Sequence, residues 1–126
     1  MIYKRYLCGR KDSHSVRIND MVTGREIIKD LKYLAHRMFM EGGGDVYLYG
    51  SRARGDATTN SDWDILIIIE DSLSSADDFL SFAFPYAEIG WKYGQQVTPV
   101  HFTRSQWDAQ KNTSFYNNVL SDCIRL

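Results

Sequence analysis

The hydrophobic residues of this chain first recur at helical spacing and then form continuous runs. Between positions 27 and 39 they line one face of a helix: Ile27, Ile28, Leu31, Leu34, Ala35, Met38 and Phe39. The preceding segment Thr23-Gly24-Arg25-Glu26 has the spacing of a helix-capping box. Gly42, Gly43 and Gly44 follow, and glycine readily adopts the left-handed conformation that closes helices. The pattern predicts one amphipathic helix that starts after this cap and ends at the glycines.

Two runs of strand-forming residues follow the glycines. Residues 45–49, DVYLY, and residues 65–69, ILIII, are rich in aromatic and β-branched side chains. The second run is five successive aliphatic residues and does not alternate with polar ones, so the strand must be covered on both faces. Helices packed on a sheet satisfy this need. The fold class is therefore expected to be α/β or α+β.

The second half of the chain predicts further elements of both kinds. A helix is expected to begin at Ser74 or Ser75, with Pro85 either kinking it or opening a second short helix. Residues 96–102 predict a third strand, and Pro99 favours an edge position because proline has no N–H to donate. Shorter elements are expected after it: a helix behind a Thr103–Gln106 cap, a helix from Ser114, and an extended end at residues 123–126.

Composition limits the classes of protein that are compatible with this chain. With 126 residues and 44% hydrophobic side chains, residues 1–126 should form a single domain with its own core. The net charge of -1 argues against binding along a nucleic-acid backbone. No apolar run is long enough for a signal peptide or a membrane span, so we expect a cytoplasmic protein without a membrane partner. Reduced thiols are favoured for Cys8 and Cys123, although a bridge between them stays open.

The candidate chemistry lies between the first two strands, in the segment GSRARGDATTNSDWD at residues 50–64. Side chains two apart in a strand point to the same face, so Asp62 and Asp64 project together and Trp63 projects the other way. Two adjacent carboxylates repel each other unless a cation lies between them. Hard divalent ions such as Mg²⁺ are bound by one or two carboxylates together with phosphate oxygens. The two acids therefore predict a metal site that includes a phosphate group.

The other end of this segment has groups that suit phosphate. Gly50 allows close approach of the backbone, and Ser51 offers a hydroxyl and an amide donor. Arg52 and Arg54 can supply positive charge to phosphate oxygens. These four residues are the candidate nucleotide-binding set.

The arrangement Gly50-Ser51, ten residues, then Asp62-Trp63-Asp64 resembles the signature of the DNA polymerase β-like nucleotidyltransferase superfamily. Over residues 45–70 the chain resembles its small bacterial branch, the minimal nucleotidyltransferases. The resemblance implies an α+β fold, a small mixed β-sheet with helices packed on it. It also implies transfer of a nucleoside monophosphate from an NTP to a hydroxyl acceptor. By resemblance, the roles are triphosphate contact for Gly50, Ser51, Arg52 and Arg54, and Mg²⁺ or Mn²⁺ coordination for Asp62 and Asp64.

One part of the family pattern is missing from the sequence. Members generally add a third carboxylate on a later strand, yet residues 96–102 contain no Asp or Glu. Gln96 or His101 would make a weaker site for Mg²⁺. Two functions therefore stay open, an active nucleotidyltransferase and a catalytically degenerate module that binds NTP or a partner.

The resemblance also implies partners. The expected nucleotide is ATP, and the acceptor should be brought by a partner protein or a second copy, because the chain leaves little room for an acceptor-binding domain. Minimal nucleotidyltransferases often pair, as antitoxins, with an all-helical HEPN protein. An antitoxin-like role beside such a partner, or a homo-oligomer, is therefore expected.

Overall fold

The computed structural model describes residues 22–126, and a four-stranded sheet forms its centre. The strands are β1 Gly44–Tyr49, β2 Trp63–Ile69, β3 Val97–Thr103 and β4 Ile124–Arg125. Their order is β3-β2-β1-β4, with β2 and β3 parallel and the other neighbours antiparallel. Helices pack on this mixed sheet, which confirms the predicted α+β class.

Within residues 22–126, five α-helices accompany the sheet: α1 Val22–Met38, α2 Ser51–Arg54, α3 Phe84–Tyr93, α4 Arg104–Asp108 and α5 Ser114–Asp122. The long amphipathic helix is confirmed as α1. Because α1 already includes Val22, Thr23 lies within the helix, and the prediction that it begins the cap is wrong. After α1 the chain turns through Gly42 and Gly43, whose φ angles of 85° and 97° are left-handed, as predicted for the helix end.

Successive residues of β2 face two different layers. Trp63, Ile65, Ile67 and Ile69 join one apolar cluster with residues of α1 and α3, which we call the α1/α3 face. Leu66 and Ile68 join a second cluster with residues of α4 and α5, which we call the α4/α5 face. All residues from 65 to 69 are 0% exposed, which confirms that the strand is covered on both sides. Since each fully buried aliphatic side chain contributes about 1.5–3 kcal/mol, β2 is a rigid support for the acids at its start.

The helix predicted from Ser74 or Ser75 begins later than expected. Ser74 Oγ and the Ser75 amide both donate to the Asp78 carboxylate at 2.7 Å, and one turn of π-helix runs from Phe79 to Ala83 before α3. Pro85 lies in the first turn of α3 and has no N–H to continue the ladder of the preceding turn. Pro85 therefore marks the start of α3, which follows the π-helical turn without a break in the helical backbone.

The placement of Pro99 follows from the pairing of β3. The Trp63 amide donates to the Gln96 carbonyl at 2.9 Å, so alternate residues of β3 turn their backbone groups towards β2. Pro99 belongs to the other set, and its missing N–H falls on the outer side of the sheet. Among the strands of residues 22–126, β3 lies at one end of the order, which confirms the predicted edge position for this part of the chain.

The C-terminal residues return to the centre of the sheet. β4 pairs with Tyr47 and Leu48 of β1, which confirms the extended end. Cys123, just before β4, is disulfide-bonded, so the favoured reduced thiol is wrong for this residue. Two cysteines near opposite ends of a sequence can be close in space, which their spacing does not reveal; Cys8 lies outside the described residues. Among residues 22–126, no helix combines the length and apolar character needed to cross a membrane.

Candidate active site

The two halves of the segment from residue 50 to residue 64 meet at one end of the sheet. β1 and β2 are antiparallel, and Tyr49 pairs with Asp64, so the end of β1 lies beside the beginning of β2. Gly50 comes next with a left-handed φ of 77°. A Cβ atom at Gly50 would collide with an oxygen of the Asp64 carboxylate. Glycine is therefore required here both for its backbone conformation and because the Asp64 carboxylate fills the space of a side chain.

The chain turns directly from Gly50 into α2, a single helical turn. The amides of Ala53 and Arg54 both donate to the Gly50 carbonyl at 3.0 Å, which starts the turn at this glycine. The first amides of a helix have no carbonyl partner within the helix. The Ser51 and Arg52 amides are the first of this turn and therefore have no carbonyl partner within it, and the turn begins next to the Asp64 carboxylate. The Ser51 side chain is half-buried.

Asp64 lies on the α4/α5 face, and Asp62 is close enough for its charge to act on it, but the surroundings of the two acids differ. Asp62 is exposed, whereas Asp64 is half-buried. Burial raises the pKa of the Asp64 carboxyl, the negative charge of Asp62 raises it further, and Arg54 opposes the shift. No Arg or Lys of residues 22–126 forms an ion pair with either acid. The site thus holds concentrated negative charge that a divalent cation would neutralise.

The two arginines of α2 have different positions. Arg52 is buried at 8% exposure and contacts the residues around Asp62, as described below. Arg54 is exposed, and its Nη1 donates to the Asp122 carboxylate of α5 at 2.7 Å, while its Nε donates to Asp56 at 3.2 Å. Of the two side chains, that of Arg54 is the one exposed to solvent.

The neighbouring strand β3 has a neutral residue beside the acids. Thr98 pairs with Asp64 in the parallel register, so both side chains lie on the α4/α5 face. The Thr98 hydroxyl oxygen is buried, and within the described residues it has no hydrogen-bond partner. His101 pairs with Ile67 and therefore lies on the α1/α3 face, with its ring centroid 6.5 Å from that of Phe79. Register thus excludes His101 from the group around Asp64.

The residues present suit one divalent cation better than two. Within residues 22–126, no three side chains of His, Cys, Asp or Glu come together where they could hold a metal ion. Asp62 and Asp64 supply the hard oxygen ligands that Mg²⁺ prefers, with room for water or phosphate oxygens at the remaining positions. A two-ion centre would need a further acid from the substrate or a partner.

Comparison with known families agrees with this arrangement. The model of the family described as Polymerase beta, Nucleotidyltransferase matches residues 44–121, more than half of the chain. The match starts at the first residue of β1 and ends within α5, so it includes residues 50–64 and Thr98 but stops one residue before Asp122. The chain belongs to this nucleotidyltransferase family. Comparisons with curated proteins and with solved structures give no match.

Some residues of the site were not predicted from the sequence. Thr98 and Asp122 belong to segments far along the chain, and only the strand register and the placement of α5 bring them to the site. Tyr49 is opposite Asp64, and burial together with the Asp64 charge raises the pKa of its hydroxyl to about 12. Tyr49 could have been predicted from the sequence. It is the last residue of β1, and in an antiparallel pair the last residue of one strand lies beside the first residues of the next, here Asp64.

Proposed function

We propose that this chain is a divalent-cation-dependent nucleotidyltransferase. The reaction would transfer a nucleoside monophosphate from an NTP to a hydroxyl acceptor, with release of pyrophosphate. The observation that carries the proposal is the pair Asp62 and Asp64, which forms no ion pair within the described residues. Asp64 of this pair is packed against Gly50. A half-buried carboxyl whose pKa is raised, as for Asp64, and which has no ion-pair partner is typical of a functional site and not of a structural ion pair.

Each residue has a role that its position supports. Asp62 and Asp64 would hold Mg²⁺, or Mn²⁺ in its place. The bound ion would neutralise charge on the triphosphate and on the α-phosphorus as it is attacked. The backbone at Gly50 and the amide and hydroxyl of Ser51 would donate to triphosphate oxygens. Arg54, which is exposed, would exchange part of its contact with Asp122 for a phosphate oxygen.

The substrate and the partner are proposed from family resemblance. ATP is the proposed nucleotide, and a hydroxyl of a partner protein is the proposed acceptor. A HEPN-type helical protein suits this role, with the present chain acting as its antitoxin-like partner. The minimal-nucleotidyltransferase branch would provide this context, and the cytoplasm is the corresponding location.

A second function is supported by a specific observation. Thr98 occupies the position on β3 beside Asp64, and no third acid joins the pair within residues 22–126. A family member that has lost this ligand could bind NTP and regulate a partner without efficient transfer. This binding module is the alternative to the enzyme.

Label transfer separates the two functions. The purified chain is incubated with Mg²⁺ or Mn²⁺, a candidate acceptor, and ATP labelled at either the α- or the γ-phosphate. The enzyme predicts that the α label moves to the acceptor and that the γ label is released as pyrophosphate. Asp64→Asn should abolish transfer, whereas Asp108→Asn, which removes an exposed carboxylate of α4, should not. Saturable ATP binding without transfer to any acceptor, including a co-purified protein, would support the binding module.

A further inference from the structure

The Arg52 side chain is buried, whereas a side chain that contacts a triphosphate at the protein surface would be expected to be exposed to solvent. Its exposure is 8%, and its Nε is buried without a hydrogen-bond partner in the described residues. A buried guanidinium is unfavourable unless its surroundings compensate for the lost water. Burial lowers the pKa of Arg52, and the negative charge of Asp62 opposes that shift. Because burial of this charged group is unfavourable in itself, specific contacts must hold the Arg52 side chain in place.

Those contacts all go to the segment that contains the two acids. Arg52 Nη2 donates to the Ser61 carbonyl at 3.0 Å, and Ser61 immediately precedes Asp62. The Arg52 guanidinium carbon lies 4.4 Å from the ring centroid of Trp63, within the range of a cation–π contact. Trp63 lies between the two acids in sequence. One side chain from α2 therefore contacts the chain on both sides of Asp62.

The Trp63 ring is itself firmly held. It is 0% exposed, and its indole N–H donates to Gln95 Oε1 at 2.7 Å. Its backbone amide donates to the Gln96 carbonyl at 2.9 Å, which ties it to the residues before β3. Arg52 thus stacks on a ring that is fixed relative to the sheet. Through this ring, the position of α2 is coupled to the start of β2.

We infer that Arg52 is a positioning residue that fixes the Asp62–Asp64 segment against Gly50-Ser51, and that it is not a ligand of the triphosphate. The inference rests on the proposed function, because it concerns the geometry of the proposed metal site. Arg52 combines a planar stack on Trp63 with a hydrogen bond to Ser61, and only a guanidinium can make both contacts at once. Lysine keeps the charge but has no planar group.

The consequence is a separation between metal affinity and nucleotide affinity. Loss of a residue that orients metal ligands typically lowers metal affinity about 10–100-fold. Arg52→Lys should therefore bind Mn²⁺ alone at least about tenfold more weakly than the wild type. Arg37→Lys is the matched control: the same substitution at an exposed arginine of α1, which contacts Tyr33, should leave the affinity for Mn²⁺ alone within about twofold.

The test measures Mn²⁺ binding in the absence of nucleotide by electron paramagnetic resonance, at a temperature well below the unfolding temperature of each variant. Weaker Mn²⁺ binding by Arg52→Lys, with the Mn²⁺ affinity of Arg37→Lys unchanged, supports the inference. Unchanged Mn²⁺ affinity in Arg52→Lys overturns the inference. In that case, weaker ATP binding would indicate that Arg52 is a phosphate ligand, and a loss of thermal stability alone would indicate a merely structural residue. If the wild type binds no Mn²⁺, the proposed function fails and the inference falls with it.

A second pair of variants keeps the test decisive if Arg52→Lys does not fold. Trp63→Phe and Trp63→Leu both remove the bond to Gln95, but only phenylalanine keeps an aromatic face for Arg52. The inference predicts that Trp63→Leu binds Mn²⁺ about tenfold more weakly than Trp63→Phe. Equal affinities in these two variants would overturn it.

Discussion

The two ends of the α4/α5 face both contain aspartate, but in opposite electrostatic surroundings. At one end, Asp45 is buried and accepts hydrogen bonds from Arg104 and Arg125, each at 2.8 Å. At the other end, Asp64 has Asp62 as its charged neighbour, and within residues 22–126 no cation forms an ion pair with either. The same residue type is thus neutralised at one end of the sheet and left unpaired at the other.

This difference separates structural acids from functional ones. A buried carboxylate with two arginine partners contributes to folding, because removing it would leave buried cations unpaired. Two adjacent carboxylates without cations destabilise the protein until an ion joins them. The two acids without an ion-pair partner are therefore the better candidates for binding, and one of them, Asp64, lies against Gly50.

Exchanging each acid for its amide should produce opposite results. Asp64→Asn should lower nucleotidyl transfer at least about 100-fold without lowering thermal stability. Loss of a residue that only orients a metal ligand lowers activity up to about 100-fold, and loss of the ligand itself should have a larger effect. Asp45→Asn should leave transfer intact but destabilise the fold by about 2 kcal/mol, roughly 5–12 °C in Tm, because Arg104 loses its closest acid. Transfer assays and calorimetry on both variants check the contrast. A loss of stability in Asp64→Asn that matches Asp45→Asn would erase the distinction.

Placing an acid on β3 should change the site from one ion to two. Thr98 is in register with Asp64 on the parallel neighbour, so Thr98→Asp adds a third carboxylate on the same face. We expect two Mn²⁺ per chain in this variant and one in the wild type, counted by electron paramagnetic resonance at saturation. Thr98→Asn is the size-matched control and should keep one. A single ion in Thr98→Asp would show that β3 does not lie within reach of the metal.

Removing the exposed arginine should affect nucleotide binding without affecting folding. Arg54 contacts Asp122 at 2.7 Å, but its side chain is 42% exposed, and exposed ion pairs contribute at most about 1 kcal/mol. Arg54→Gln should therefore weaken ATP binding several-fold, about the effect of one charge-assisted hydrogen bond, with little change in Tm. Calorimetric titration with ATP and Mg²⁺ measures this. An unchanged dissociation constant would leave Arg54 as a structural partner of Asp122.

The smallest expected effect is a pH dependence of stability. The pKa of Asp64 is raised in the folded state, so the folded state holds this proton more tightly than the unfolded one. The protonated Asp64 carboxyl therefore contributes to the free energy of unfolding. This contribution is fully present below about pH 3.9, the pKa of Asp64 in the unfolded chain, and is lost as the pH rises through its raised pKa in the folded state. In metal-free buffer, the Tm of Asp64→Asn should therefore exceed that of the wild type by an amount that grows with pH over this window, roughly 1–3 °C.

Mn²⁺ added at neutral pH should close this difference in Tm, because it binds the ionised wild-type site and not the amide. A difference that shrinks as the pH rises would mean that Asp64 is stabilised as the carboxylate. That outcome would contradict the unpaired environment inferred for this end of the sheet.

The local parts of the fold and site could be predicted from the sequence, because their signals are local. The periodicity of residues 27–39, the aliphatic run at 65–69 and the proline at 99 each indicate an element or its environment directly. Residues 50–64 have both halves of the site within one loop, so a motif could identify them. Their individual roles stay predictions that the experiments above address.

What could not be predicted depends on contacts between distant segments. Arg52 and Arg54 are two residues apart and look equivalent in sequence, yet one is buried on Trp63 and the other reaches Asp122 of α5. The absence of an acid from residues 96–102 was visible, but only the register shows that Thr98 is the residue beside Asp64. Packing and strand register decide these outcomes, and neither is local in sequence.

The most direct test of the central claim is the number of Mn²⁺ ions bound by the chain without nucleotide, compared between wild type, Asp64→Asn and Asp45→Asn. Both substitutions remove one negative charge from an aspartate on the same face of the sheet, so overall charge is matched. The unpaired-acid site predicts one Mn²⁺ per chain in the wild type and in Asp45→Asn, and none in Asp64→Asn. Equal binding by wild type and Asp64→Asn would contradict it.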